Sequence, residues 1–212
     1  MTTQSHGVRG LLGLWVIAAI ALAGAALPTH QVFATSIATT VDPAAVPKDK
    51  QTKLGLYLTS REAYNALQAD PKILFIDVRT RAEFSFVGHP MQITRNIPHR
   101  ELADSYDLDP KRKQYKVEPN VDYPLALERL LAEHGRSKTD PIFVICRSGD
   151  RSRMAADFMA DLGYTQVYNV IDGVEGDKDK ATGHRTVNGW KNSGLPWTYD
   201  VTPERAYVSP SL

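Results

Sequence analysis

The chain has 212 residues, with 25 basic and 24 acidic side chains and one cysteine. This near-neutral balance lacks the basic surface of nucleic-acid-binding proteins, so nucleic acid is excluded as the expected partner. A single cysteine excludes an internal disulfide, and the histidines are too scattered to have the spacing of metal ligands. The length predicts one domain with its own hydrophobic core.

Residues 1–34 have the features of an export signal. A polar start with one basic side chain, Arg9, precedes an almost wholly apolar stretch over residues 11–27. Val32-Phe33-Ala34 places small residues before a cleavage site after Ala34, and Ala23-Gly24-Ala25 offers a second choice. Cleavage predicts an exported, periplasmic protein of the bacterial envelope. The alternative is an uncleaved membrane anchor, because the apolar stretch is near the lower length limit for crossing a bilayer.

The next part of the chain predicts a leader and the first strands and helix of a domain. Residues 35–53 are rich in Thr, Pro, Ala and Lys, which favours a flexible leader. A strand is expected over 54–58, and Thr59 and Glu62 have the spacing of a capping box at the start of a helix. The apolar run over 73–76 predicts a second, buried strand.

Residues 99–123 form a long polar connection before the next regular element. Connections of this length in compact domains are typical of a lid, a binding loop or a disordered segment. We consider it either a solvated charged loop or the docking place of a protein partner. The amphipathic pattern after it, with Pro124 at the first position and Gly135 past the end, predicts a helix.

The single cysteine lies in a polar loop between a predicted strand and a predicted helix. The apolar run 142–145 precedes this loop, and apolar residues at helical spacing follow it as far as Gly163. Such a loop lies at the carboxyl end of its strand, where open α/β sheets place ligands. If it curls, its N–H groups form an anion cradle with Cys146 at its mouth. The predicted substrate-binding residues are Arg147, Ser148, Gly149, Asp150, Arg151 and Ser152.

A thiolate is an anion, so this cradle would make Cys146 a nucleophile. The helix N-terminus, Arg147 and Arg151 would all stabilise the thiolate. We expect Arg147 to face an incoming donor and Arg151 to reach back to loop carbonyls or to Asp77. The alternative is that Cys146 is merely a small buried hydrophobe.

The remaining chain completes an alternation of strands and helices. A strand is predicted over 166–171, followed by a turn over 172–176, a polar insertion over 177–188 and a tryptophan-bearing segment over 189–197. This alternation predicts an α/β sandwich with a mainly parallel sheet.

Several motifs together resemble the rhodanese family, the sulfurtransferases. The order Cys-x-x-Gly-x-Arg-Ser after a strand is similar to the active-site loop of that family. Further similar motifs are Asp77-Val78-Arg79, Glu83-Phe84, Gly88-His89, Asn96-Ile97-Pro98 and Gly189 to Trp197. The resemblance covers residues 54–198, with insertions near 99–123 and 177–188, and leaves 199–212 as a C-terminal tail. It departs from the family pattern at His89-Pro90-Met91-Gln92.

This resemblance implies both a fold and an activity. The fold would be a single-domain, rhodanese-like three-layer sandwich with helices on both faces of the sheet. Asp77 and Arg79, which by themselves would be ordinary as a surface ion pair, would brace the neighbouring loop. The activity would move sulfane sulfur from an anionic donor such as thiosulfate, through a Cys146 persulfide, to cyanide or a thiol. That chemistry needs no metal and no organic cofactor.

Other classes of function stay open at this point. Cysteine phosphatases and arsenate reductases also bind oxyanions, but the phosphatase signature has one more residue between Cys and Arg than the stretch from Cys146 to Arg151. A non-catalytic envelope module that binds an anion or a protein is the other alternative. A thioredoxin-like oxidoreductase would need a second cysteine. The sequence names neither the physiological donor and acceptor nor the oligomeric state.

Overall fold

The computed structural model describes residues 1–4 and 37–210. Residues 36–212 form one compact unit, whose described part is the subject below. The predicted export signal and its cleavage site lie almost wholly outside the described residues, so export stays a prediction. Among the described residues, no helix has the length and apolar character needed to cross a bilayer.

Short strands and helices alternate along the described chain, after two 3₁₀ turns at Pro43–Ala45 and Lys48–Lys50. The helices are α1 (Ser60–Ala69), α2 (Arg81–Phe86), α3 (Tyr123–Glu133) and α4 (Asp150–Asp161). The strands are β1 (Tyr57–Leu58), β2 (Leu74–Asp77), β3 (His89–Pro90), β4 (Arg95–Asn96), β5 (Arg100–Leu102), β6 (Leu108–Asp109), β7 (Gln114–Tyr115), β8 (Val117–Pro119), β9 (Ile142–Ile145), β10 (Val167–Val170) and β11 (Trp197–Thr198).

The central sheet has five strands in the order β1-β10-β9-β2-β4, and all its pairings are parallel. This confirms the predicted α/β class with a parallel sheet. In the register between β2 and β9, Asp77 pairs with Ile145. The residues that follow these two strands, Val78 and Cys146, therefore emerge at the same edge of the sheet.

The core is divided between the two faces of this sheet. Ile142 and Val144 belong to one apolar cluster, which also contains buried residues of α3 and α4. Phe143 and Ile145, which alternate with them along β9, belong to a second cluster with α1, α2 and Trp190. Because side chains of a strand alternate between faces, helices cover both sides and the molecule has the three predicted layers.

The helices begin where the local sequence can cap them. Thr59 and Glu62 form the predicted capping box at α1. Thr80 and Glu83 form a second one at α2, a helix of six residues that the sequence analysis did not predict. Such a short helix does not complete two turns, so it shows no helical periodicity.

The long connection predicted over 99–123 contains regular structure. β5 pairs with β8 and β6 pairs with β7, both antiparallel, so the chain folds into a small hairpin-like insertion. Each pairing involves only two or three residues per strand. Runs this short carry no recognisable alternation, which is why this part was predicted as irregular.

The prediction of a flexible leader over residues 35–53 is corrected here, because the described residues 37–53 pack against the domain. Lys50 is only 6% exposed. Its Nζ donates to the carbonyl of Ile171 at 3.0 Å and to the carboxylate of Asp177 at 2.7 and 2.8 Å. Composition favoured flexibility because the partners of Lys50 lie more than a hundred residues away in sequence.

The segment after Thr198, predicted as a tail, lies along the edge strand β4. The Asn96 N–H donates to the carbonyl of Arg205 at 2.8 Å, and Arg95 Nε donates to the carbonyl of Glu204 at 2.9 Å. Tyr207 packs against the core and its hydroxyl bonds to Asn120. Both terminal segments are therefore structural parts of the domain.

Candidate active site

The loop that follows β9 is held from outside by the turn over 172–176. The carbonyl of Cys146 accepts from the Val174 N–H at 2.8 Å, and the carbonyl of Arg147 accepts from the Glu175 and Gly176 N–H groups at 3.0 and 3.2 Å. In a trans peptide the N–H points opposite to the C=O. The N–H groups of Arg147 and Ser148 are therefore directed away from this turn, towards the inside of the loop.

Two glycines permit this close packing of loop and turn. A Cβ on Gly173 would lie 2.4 Å from the Arg147–Ser148 peptide, and a Cβ on Gly149 would lie 2.4 Å from the Ile171 carbonyl. Both also have positive φ, 67° and 96°, which other residues rarely adopt. The sequence analysis predicted Gly149 in the site but did not predict a role for Gly173.

The sulfur of Cys146 lies at the base of the loop and is 0% exposed. The Gly149 N–H donates to Sγ at 3.2 Å and the Ser152 hydroxyl lies 3.3 Å from it. Asp150 Oδ1 is 3.8 Å from the same sulfur. The prediction that Cys146 lies at the mouth of the cradle is thus corrected, because the side chain turns inward to the donors that stabilise it.

Asn169 supports this arrangement from β10. Its amide nitrogen donates to the carbonyls of Lys50 and Gly149, both at 3.1 Å, which uses both of its hydrogens. Its Oδ1 therefore accepts from the Ser152 hydroxyl, at 2.7 Å. The Ser152 hydroxyl has one proton, so it can donate to Asn169 or to Cys146 but not to both. The only sequence signal for Asn169 was a polar residue inside an otherwise apolar strand.

Arg151 points to a different partner from the one expected. Its guanidinium makes a two-pronged ion pair with Glu83, at 2.6 and 2.7 Å, rather than with loop carbonyls or Asp77. Burial by itself raises the pKa of Glu83, but the hydrogen bonds and charge of Arg151 outweigh it and lower the pKa to about 2. Glu83 thus links α2 to the start of α4.

Asp77 and Arg79 form a fully buried ion pair at the edge of the sheet. Arg79 Nη2 lies 2.7 Å from Asp77 Oδ2 and also donates to the Gly88 carbonyl at 2.7 Å. Burial lowers the pKa of Arg79, but Asp77 raises it above its ordinary value. Val78, the residue between Asp77 and Arg79, connects this ion pair to the start of the cysteine loop. Its N–H donates to the carbonyl of Ile145, the residue before Cys146, at 3.0 Å.

The cysteine loop and most of the central sheet lie in a span that matches a known protein family. Residues 60–180, more than half of the chain, match the rhodanese-like domain. The chain belongs to the rhodanese-like domain family. The motifs of the sequence analysis, from Asp77-Val78-Arg79 to the cysteine loop, all lie inside the matched span.

Relatives of this rhodanese-like domain include proteins with and without a known activity. The uncharacterised protein RP600 of Rickettsia prowazekii is 34% identical over 143 residues, which cover 67% of this chain and 96% of that protein. The thiosulfate sulfurtransferase GlpE of Actinobacillus succinogenes is 27% identical over 150 residues, covering 69% and 95%. The crystal structure of Rv0390 from M. tuberculosis is 30% identical, covers 67% of this chain and 96% of that chain, and has a TM-score of 0.46.

A cavity of about 480 Å³ adjoins the cysteine loop of the rhodanese-like domain. Arg147 lines it, and within the described residues its buried Nε has no hydrogen-bond partner. Cys146 does not line the cavity, but Asp150 does, and this carboxylate is within 3.8 Å of the sulfur. The other lining residues are Thr80, Ala82, Glu83, Leu102, Arg112, Gln114, Tyr115, Val117 and Arg151.

Both insertions of this rhodanese-like domain border the site. The hairpin insertion over 100–119 contributes Arg112 to the cavity. The second insertion contributes Arg185, whose Nη1 donates to the Gly176 carbonyl at 2.5 Å. Burial, followed by the neighbouring charge of Arg147, lowers the pKa of Arg185. Binding of a protein partner at residues 99–123 stays a prediction. In the structure, residues of this stretch line the cavity beside the cysteine loop.

The predicted substrate-binding residues therefore divide by position. Gly149, Asp150 and Ser152 surround the sulfur, whereas Arg147 faces the cavity. Arg151 fixes the loop through Glu83. Ser148 contributes through its backbone, whose preceding carbonyl is held by the 172–176 turn. This arrangement can stabilise negative charge on the sulfur, and the cavity that Arg147 lines can hold an anion.

Proposed function

We propose that this rhodanese-like domain transfers sulfane sulfur from an anionic donor such as thiosulfate to a thiol or cyanide, through a persulfide on Cys146. The observation that carries the proposal is a buried sulfur to which the Gly149 N–H donates at 3.2 Å, with the Ser152 hydroxyl 3.3 Å away and able to turn to the sulfur from Asn169. A cavity beside the cysteine loop, lined by Arg147 whose buried Nε has no hydrogen-bond partner among the described residues, supports an anionic donor. The sulfurtransferase named among the relatives supports the same class of reaction.

The first step would be attack of the Cys146 thiolate on the outer sulfur of thiosulfate. A new S–S bond forms to Cys146, the S–S bond of thiosulfate breaks, and its electron pair leaves with sulfite. Asp150 is the group in reach of the thiol proton before attack, because its carboxylate lies 3.8 Å from Sγ. Arg147 would hold the sulfonate end of the donor and then the departing sulfite.

In the second step cyanide or a thiolate would attack the outer sulfur of the persulfide. The bond to that sulfur breaks and the electron pair returns to Cys146 as a thiolate, so no net oxidation or reduction occurs. The negative charge shifts between two adjacent sulfurs over the cycle. The Gly149 N–H and the Ser152 hydroxyl would stabilise this charge in both states, as preorganised donors do in other covalent mechanisms.

Intact mass spectrometry tests this proposal directly. The protein should gain the mass of one sulfur atom after thiosulfate and lose it after cyanide. Cys146→Ser should show no gain and no thiosulfate:cyanide activity, while its circular dichroism spectrum stays unchanged. Ser148→Ala serves as a control for substitution within the loop and should keep the reversible gain. A wild-type protein that never gains sulfur would instead favour a non-catalytic binding module.

A further inference from the structure

Asn169 is a fully buried amide in a strand whose other residues are apolar. It lies on β10 opposite Val144 of β9, and Val144 is followed by Ile145 and Cys146. Burial of an amide costs free energy unless its hydrogen bonds are formed inside the protein. A polar residue at this position is therefore explained by what its side chain contacts.

Two backbone carbonyls fix the orientation of the Asn169 amide. Its Nδ2 lies 3.1 Å from the carbonyl oxygens of Lys50 and Gly149, and carbonyl oxygens can only accept. The amide oxygen, Oδ1, therefore faces the remaining contact, Ser152 Oγ at 2.7 Å. Because Oδ1 carries no proton, the Ser152 hydroxyl is the donor. Its proton is thus directed to Asn169 and away from Cys146 Sγ, which lies 3.3 Å from the same hydroxyl oxygen.

The two acceptors within reach of this hydroxyl respond differently to charge on the sulfur. A neutral thiol is a weak acceptor and an amide oxygen is a good one, so the hydroxyl prefers Asn169 while Cys146 is a thiol. A thiolate is a charged acceptor, and hydrogen bonds to charged groups are about twice as strong as neutral ones. The hydroxyl of Ser152 therefore gains by turning to the sulfur once the thiol proton has left.

We propose that Asn169 is a positioning residue that limits the stability of the Cys146 thiolate by competing for the Ser152 hydroxyl. The hydroxyl turns between two acceptors that both lie within 3.3 Å of its oxygen. Each turn towards the sulfur breaks the hydrogen bond to Asn169. A thiolate is less nucleophilic the more strongly it is stabilised, so this competition keeps the sulfur reactive. The inference rests on the proposed function only in taking Cys146 as the nucleophile.

Other charges also act on the sulfur, and the variants below leave them in place. Asp150 lies 3.8 Å from Sγ, and the charge of Arg151, which is paired with Glu83, interacts with Cys146. The charged side chains on the other elements around the loop are Arg147, the Asp77–Arg79 pair and the Lys50–Asp177 pair. A difference in titration between variants that share these charges therefore reports the hydroxyl.

Titration of the thiolate by its ultraviolet absorbance tests the role of Asn169, because Cys146 is the only cysteine of the chain. The same protein with Cys146→Ser supplies each baseline. Asn169→Leu removes the competing acceptor and should lower the midpoint of the titration by about 0.5–1 pH unit, the strength of one neutral hydrogen bond. Ser152→Ala should raise the midpoint by about one pH unit. In the background of Ser152→Ala, Asn169→Leu should have no effect, because Asn169 acts only through that hydroxyl.

Asn96 offers a matched control for the loss of a buried amide. It is also buried, and its Nδ2 donates to two backbone carbonyls, those of Asp77 and Arg79, both at 2.9 Å. Asn96→Leu should lower the melting temperature as Asn169→Leu does, but it should move the thiolate midpoint by less than about 0.2 pH unit. Asn169→Asp is a second comparison. It loses the same two donor contacts as Asn169→Leu but keeps an acceptor for Ser152, so its midpoint should not fall.

The direction of the shift separates this role from a merely structural one. A loosened loop would weaken the Gly149 N–H donor and raise the midpoint, so a midpoint that rises or stays constant in Asn169→Leu would refute the proposal. An equal shift with and without the Ser152 hydroxyl would also refute it. If Asn169→Leu does not fold, Asn169→Val takes its place, because a β-branched residue suits a buried strand.

Sulfur uptake from thiosulfate tests the proposed function separately. The acid limb of its pH–rate profile should move in Asn169→Leu by the same amount as the thiolate midpoint. If the wild-type protein takes up no sulfur at any pH, the proposed function fails, while the titration still decides the role of Asn169. Uptake whose acid limb does not follow the thiolate midpoint would show that Asn169 does not control the reacting sulfur.

Discussion

Cys146 is surrounded by groups that act in opposite directions on its charge. The Gly149 N–H favours a thiolate, and so does the Ser152 hydroxyl when it turns from Asn169 to the sulfur. The Asp150 carboxylate, 3.8 Å away, disfavours a second negative charge but can take the thiol proton. All three groups therefore bear on the charge of the one sulfur that the proposed mechanism uses.

Arg147 provides a residue-level prediction, because its guanidinium faces the cavity without a partner in the described chain. Arg147→Ala should lower kcat/KM for dianionic thiosulfate by about 10- to 100-fold, since one charge-assisted contact is worth about 1.5–3 kcal/mol. The loss should be much smaller with an uncharged sulfane-sulfur donor, and Arg147→Lys should lose less than Arg147→Ala. Equal losses with charged and uncharged donors would show that Arg147 does not recognise the anion.

Among single residues, the sequence analysis could name as site residues those that lie together in one continuous loop. Cys146 to Ser152 share a motif, so the approach of Gly149, Asp150 and Ser152 to the Cys146 sulfur follows from local chain geometry. Asn169, Lys50 and the partner role of Glu83 were missed, because each reaches the loop from a distant part of the chain. No spacing rule relates residues that meet only through the register of a sheet or the packing of helices.

Among the elements, α2 and α4 are joined by the ion pair between Glu83 and Arg151. Their side chains are 21% and 12% exposed, so the pair is mostly removed from water. Glu83 also accepts from Thr80 in the α2 capping box. One carboxylate therefore fixes a short helix and orients the first turn of the helix that follows Cys146.

Glu83→Gln should show this coupling as a pH-dependent loss of stability. The pKa of Glu83 is lowered from 4.5 to about 2, so its contribution is present above the unfolded-state value and is lost as pH falls through the folded-state value. The shift corresponds to about 3 kcal/mol of unfolding free energy at pH 7. Urea unfolding should find a difference from wild type of that order at pH 7 that shrinks steadily between about pH 4.5 and pH 2.

The exposed Glu118 on β8 offers a matched control for that experiment. Glu118→Gln makes the same chemical change and should alter the unfolding free energy by no more than about 0.5 kcal/mol at any pH. A Glu83→Gln difference that stays constant with pH would mean that the ion pair does not set the titration of Glu83.

Element prediction succeeded where the chain has a clear period and recognisable ends. β9 was predicted with its observed bounds, and α1 was predicted from its capping box. α2 and the strands of the hairpin insertion were missed because two to six residues show no period. Long-range packing, rather than local propensity, determines these short elements.

At the scale of the whole molecule, the domain extends beyond the limits of 54 and 198 that the sequence predicted. The described residues before 54 and after 198 also pack against it. Residues 37–53 bind the site through Lys50, whose side chain pairs with Asp177 and whose carbonyl accepts from Asn169. The segment after residue 198 covers the edge strand β4. Neither segment has the apolar periodicity of a core element, so composition alone suggested a leader and a tail.

The C-terminal segment protects a strand that would otherwise be free to pair. β4 is at the end of the sheet order, and the Arg205 carbonyl accepts its Asn96 N–H, while Tyr207 packs on the core. A chain that ends after Thr198 should lose about 2–4 kcal/mol of unfolding free energy, from one partly buried aromatic ring and a few hydrogen bonds. It should also self-associate, because an uncovered edge strand pairs with other chains.

A chain that ends after Pro210 is the control and should match the full chain in urea unfolding and in light scattering. If the shorter chain stays monomeric and equally stable, the segment after Thr198 does not protect the edge of the sheet.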